Sequence, residues 1–127
     1  MAPNYILRTN AVATAVCAIG MLTMRETLWP IFGLDSPVLL DGIAIFFLGY
    51  SGALAFAARG QLVDRRALIA FAIGDAVWVI GSVLLLLLFW EPLAPVARVL
   101  VIAVALIVET FATLQYRAAR HAFQLGS

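Results

Sequence analysis

Two carboxyl-bearing residues, Asp75 and Glu109, interrupt otherwise apolar stretches of this chain. In hydrocarbon an Asp at mid-helix costs about 2.5–3.5 kcal/mol on insertion scales, so such a residue marks a functional position by default. Read as helices, the two stretches place Asp75 eight residues past Ala67 and Glu109 eight before Arg117. Both carboxyls then lie about 12 Å deep at 1.5 Å per residue. On antiparallel neighbours they share one layer, and two carboxyls brought together in low dielectric cannot both stay ionised. One proton shared between them is the expected state. That arrangement suits a proton-coupled or ligand site, and it equally describes a structural hydrogen-bonded pair.

Other polar side chains gather near the same level. Thr14, Tyr50 and Ser51 fall roughly 10 Å deep on two further apolar stretches. Asp75, Trp78 and Ser82 follow i, i+3, i+7 spacing, and Glu109, Thr113 and Tyr116 share a face of the last stretch, so both stripes are expected to point inward. The candidates for ligand binding or proton carrying are therefore Thr14, Tyr50, Ser51, Asp75, Trp78, Ser82 and Glu109. Trp78 and Tyr50 read equally well as packing residues beside the carboxyl layer. A second group, Arg25, Glu26, Asp35, Asp41, Glu91 and Arg98, collects near the opposite boundary. There Arg25, Asp41 and Arg98 are ion-pair candidates, with Asp41 placed to meet Arg98 across the mouth of a bundle.

Several chemistries find no residues to carry them. His121 is the only histidine and Cys17 the only cysteine, which excludes a disulfide framework, a CxxC pair and a multi-ligand metal or haem site. The chain has no Gly-rich phosphate loop, Ser-His-Asp set or HExxH motif. No catalytic residue, metal or cofactor is expected, and an enzyme is the least favoured class.

The elements that must position these residues follow from composition. The 127 residues are 65% hydrophobic and 12% charged, with a mean hydropathy of +1.06. A soluble domain is typically about 25% charged, so most of this surface must face lipid. Four runs approach the roughly 20 apolar residues that cross a bilayer core of about 30 Å, at about 9–25, 38–58, 67–90 and 96–116. The first is the weakest, interrupted by Thr9, Asn10, Thr14 and Thr23, and is expected to extend into the flanking residues to reach full span. Between the third and fourth, Glu91-Pro-Leu-Ala-Pro95 is a tight turn that makes them antiparallel neighbours. Between the first and second, Trp29, Pro30, Phe32, Asp35 and Pro37 suit a segment at headgroup level. The run Gly60 to Arg66 reads as a polar loop. The small residues Gly49, Ala53 and Ala57, and the pair Gly74 and Gly81, read as places of close helix approach. The expected fold is all-α: a single integral membrane four-helix bundle over residues 1–127, antiparallel and up-down-up-down.

Arginine placement sets the orientation. Arg8, Arg59, Arg65, Arg66, Arg117 and Arg120 share one side, whereas the other holds only Arg25 and Arg98. The positive-inside rule puts both termini in the cytoplasm. The near-neutral balance, Lys+Arg 8 against Asp+Glu 7, gives no field that would hold nucleic acid.

The run from Gly74 to Leu85 (GDAVWVIGSVLL), with Glu109 to Tyr116 (ETFATLQY) on the last helix, resembles a family of small, uncharacterised bacterial membrane proteins. Asp75, Trp78, Gly81, Ser82 and Gln115 are the matching positions. The resemblance implies four transmembrane helices and an inner-membrane location, and it carries no activity to transfer. Together these readings describe a small multi-pass inner-membrane protein that acts by binding, as an accessory subunit of a membrane complex or a holder of lipid or quinone. The alternative is a proton-coupled transporter of a small cation or amphiphile that uses Asp75 and Glu109. The partners expected are membrane lipid and either further copies of the chain or a larger membrane complex.

Overall fold

The computed structural model describes residues 2–59 and 63–124, with side chains through His121. Among the described residues five helices follow one another: α1 (Pro3–Thr23), α2 (Arg25–Ile31), α3 (Val38–Ala57), α4 (Arg65–Leu88) and α5 (Pro95–Gln124). Four of them, all but α2, are long and apolar enough to span a membrane. The chain is an all-α, multi-pass membrane protein.

Helix ends depart from the sequence expectation where a polar residue is no barrier to helix. α1 begins at Pro3, not near residue 9, with proline in the first turn, where its missing N–H is one of the unpaired donors anyway. α4 begins at Arg65, capped by the Asp64 carboxylate accepting from the Arg66 N–H at 2.9 Å. α5 does not close at Arg117 but runs to Gln124, because charged residues past the apolar run are compatible with helix in water. Of the expected polar loop 60–66, residues 60–62 lie outside the described residues. The headgroup-level segment contains a further helix, α2, with Glu26 in its first turn.

α1 packs against α3, and α4 against α5, as two close pairs; α1 also touches α5. Long aromatic side chains join the pairs on the other side. Phe47 meets Trp78 edge-on at 4.7 Å between centroids, and Tyr50 meets Phe71 at 5.5 Å. Gly74 is the glycine that permits this approach: a Cβ there would lie 3.2 Å from the Tyr50 hydroxyl. Gly49 and Gly81 instead face open space, so they mark no contact within this chain.

The interior is small. Leu7, Ala11, Leu54, Ala58, Leu68 and Ala119 form an apolar cluster near the end that carries Arg8, Arg59 and Arg65. At the other end the connections close on each other: the Ala94 N–H donates to the Ile31 carbonyl at 2.8 Å. Beside it Gly33 takes φ +71°, with room for no Cβ, since one would come within 2.9 Å of the Pro92 carbonyl oxygen. Large apolar side chains such as Val12, Phe46, Ile73, Leu87 and Leu106 point outward, as hydrocarbon solvent allows.

Candidate functional site

The centre of the bundle holds a closed set of hydrogen bonds built on Asp75. The Asn10 amide Nδ2 donates to Asp75 Oδ2 at 3.1 Å and to Gln115 Oε1 at 2.8 Å. Gln115 Nε2 donates to the same Asp75 oxygen at 3.0 Å, completing a triangle. The other carboxyl oxygen accepts from the Tyr50 hydroxyl at 2.9 Å. Asn10 Oδ1 accepts from Thr14 at 3.1 Å. All four spanning helices thus contribute: α1 through Asn10 and Thr14, α3 through Tyr50, α4 through Asp75 and α5 through Gln115. One turn away in space, Ser51 donates to the Ala11 carbonyl at 2.7 Å, tying α3 to α1.

Burial makes these bonds matter. Asn10, Asp75 and Gln115 are 3%, 5% and 0% exposed, so a polar atom left unpaired among them would have neither water nor lipid headgroup to turn to. Three donors converge on Asp75, which is the inventory a carboxylate requires. Tyr50 adds a second option. Its hydroxyl also lies 3.1 Å from the Phe71 carbonyl oxygen. It can therefore donate to Asp75 or, when Asp75 carries a proton and donates to Tyr50, turn its own hydrogen to Phe71. Both protonation states fit without moving a heavy atom.

The expected carboxyl pair does not form. Asp75 takes amide and phenol partners, and no hydrogen bond joins it to Glu109, which is exposed on the outer side of α5. The register differs from the depth count taken from Arg117: Gln115 is the residue of α5 level with Asp75, and Glu109 lies six residues, about 9 Å, further along and on the outer face. Counted from the true helix ends, Asp75 is about 15 Å from the start of α4 and Gln115 about 14 Å from the end of α5. Glu109 stands at the middle of its thirty-residue helix. The stripe Glu109, Thr113 and Tyr116, expected to face inward, faces out. Glu109 lines a shallow, open depression of about 390 Å³ with Leu106, Thr110, Thr113, Leu114 and Arg117.

The remaining candidates divide as follows. Thr14, Tyr50 and Asp75 meet in one cluster, with Ser51 beside it on the α1–α3 contact. Ser82 is buried and returns its hydroxyl to the Trp78 carbonyl at 2.9 Å. Trp78 packs on Phe47, and its indole N–H has no partner among the described residues. On the far side Asp41 does not meet Arg98. It pairs with Arg25 through two hydrogen bonds, one of 2.9 Å from Nε to Oδ1. This bond foremost pushes the Arg25 guanidinium above its usual pKa. Arg98 instead stacks on Trp90, 4.1 Å from the ring centroid, and donates to the Trp90 carbonyl at 3.0 and 2.6 Å. Asp41 and Arg98 are separated because α2 brings Arg25 in first.

Asn10 and Gln115 are the functional residues that sequence reasoning missed. Asn10 reads only as a weakness in the first span, and Gln115 only as a matching position in a resemblance. The available signal was chemical: two amides with both donor and acceptor in apolar helices need polar partners, and Asp75 is the one buried acceptor that could serve both. Among the described residues no group of three or more His, Cys, Asp and Glu is arranged to hold a metal. Comparison with known proteins finds no matching family model, no matching curated protein and no matching solved structure.

Proposed function

We propose that this chain is a bacterial inner-membrane protein, both termini cytoplasmic, that works by binding within the membrane: an accessory subunit of a membrane assembly or a holder of an apolar ligand. The observation that supports it is a division of labour between two carboxyls. Asp75 is consumed by the chain's own donors and ties four helices together. Glu109, at mid-helix and exposed, is left for something outside the chain. An ionisable group facing lipid at that depth costs several kcal/mol unless it is covered or neutralised. Extraction in a mild detergent tests the reading: the chain is expected in a larger assembly or with bound lipid or quinone, and Asp75→Asn should preserve that state. A bare, ligand-free single chain retaining its native fold would contradict it.

A second reading, proton-coupled transport, is favoured by one observation. The Tyr50 hydroxyl sits between Asp75 and the Phe71 carbonyl, so a proton can be taken up or released at Asp75 by reorienting one hydroxyl. Glu109 has no part in that step. Proton-driven flux of a small cation in vesicles would be abolished by Asp75→Asn if this reading holds, and unchanged flux would end it.

A further inference from the structure

We infer that α5 is the seam of a parallel homodimer in which the Glu109 side chains of two copies hydrogen-bond to each other inside the bilayer. The inference rests on the binding reading above and names its partner.

Along α5, Val99, Ile102, Leu106, Glu109, Thr113 and Tyr116 follow alternating steps of three and four, the a/d spacing of a two-helix seam. Every one of them is exposed, and α5 is the least buried of the spans. α4 also turns a stripe of this spacing outward, Ile73, Val77, Ile80, Leu84 and Leu87, but that stripe is wholly apolar, as lipid requires, whereas the α5 stripe carries a carboxyl. The stripe keeps that spacing throughout and stays exposed among the described residues, with Arg120 of the same helix 5.9 Å from the Tyr116 ring centroid.

The polar residue within it selects the occupant. Glu109 stands eight residues, about 12 Å, inside Arg117 and about 20 Å from Pro95, within the apolar run, so the lipid beside it is mostly hydrocarbon. A carboxylic acid has one donor and a free acceptor, and two of them on a two-fold axis satisfy each other. A second copy supplies the match automatically. The arginine bias inserts every copy in one direction, which sets Glu109 opposite Glu109 at equal depth. Thr113, one turn on, adds a hydroxyl to the same contact. The Thr110 hydroxyl is committed to the Leu106 carbonyl at 2.9 Å and retains acceptor capacity at the edge of the seam.

The test uses the full-length chain in lipid. On a Cys17→Ser background, oxidative cross-linking should join copies through Leu106→Cys and Thr113→Cys, and not through Ile73→Cys, an equally exposed position on α4. In vesicles, the association constant from energy transfer between labelled copies should fall roughly tenfold in Glu109→Leu and stay within about threefold of native in Glu109→Gln. Because Glu109 is exposed in the single chain, both variants should keep the native thermal transition when diluted in detergent to the monomer, which is recorded alongside. A chain that stays monomeric at high density in lipid, a dimer indifferent to Glu109→Leu, or cross-links favouring Ile73→Cys would overturn the homodimer. A different protein cross-linked at Leu106→Cys, without self-association, would also overturn it while leaving the binding reading standing. Absence of any partner or bound ligand would end both.

Discussion

The Asn10 side chain on α1 and the Asp75 side chain on α4 meet at 3.1 Å across 65 residues of sequence, with Gln115 of α5 bonded to both. The contact places Asp75, the one buried carboxyl among the described residues, where amides surround it, and it makes the first and third membrane crossings depend on each other. In lipid such bonds are worth about 0.6–1.7 kcal/mol each, so the cluster outweighs any one of its members.

Asp75→Asn should cost little, about 1 kcal/mol or less, whereas Asp75→Ala should cost about 2–4 kcal/mol. An asparagine can place its oxygen toward Asn10 and Gln115 and donate to Tyr50, which then turns to the Phe71 carbonyl 3.1 Å away. Alanine leaves the Gln115 amide without its acceptor and takes one of two acceptors from Asn10, while Tyr50 keeps the Phe71 carbonyl. Unfolding by denaturing detergent in mixed micelles measures both, and equal losses would show that the Phe71 option is not used.

Asn10→Ala removes the bridging donor and strands the Gln115 carbonyl oxygen, for an expected loss of about 1–3 kcal/mol. Asn10→Asp should be worse at neutral pH, since it brings a second carboxyl against Asp75, and the one proton the two share can serve at most one of the two acceptors, Asp75 Oδ2 and Gln115 Oε1, to which Nδ2 now donates. The same unfolding assay ranks them. An Asn10→Asp variant as stable as the native chain would contradict the hydrogen-bond directions.

Gly33→Ala should destabilise by about 1–3 kcal/mol, because φ is +71° and the new Cβ meets the Pro92 carbonyl at 2.9 Å. Gly81→Ala is the control. It faces open space in the interior of α4, where alanine favours helix by about 0.5–1 kcal/mol over glycine. Opposite signs in thermal melts of the detergent-solubilised protein are the expected result.

Orientation is tested by single cysteines on the Cys17→Ser background. Ser36→Cys, exposed between α2 and α3, should react with an impermeant maleimide in intact cells, and Arg120→Cys, exposed near the end of α5, only after lysis. The reverse pattern would invert the assignment of both faces.

Hydropathy alone determined that this chain lives in hydrocarbon, how often its helices are able to cross, and that α4 and α5 each carry an acid within an apolar run, because those properties depend on how many apolar residues stand in a row. The small helix Arg25–Ile31 was hidden, since seven residues with an internal proline leave too short a pattern to read. Partner choice belonged to the tertiary structure. Gln115 and Glu109 are six residues apart, about 120° around the helix at roughly 100° per residue. Which of the two meets Asp75 is set by the rotation and axial shift of α5 against α4, and neither is written in α5 itself. Asp41 likewise met Arg25 and not Arg98 only because α2 folds back over the end of α3. Composition tells which groups need a partner; packing assigns it, because a hydrogen bond is decided within a few tenths of an ångström and a hydropathy pattern is averaged over a whole span.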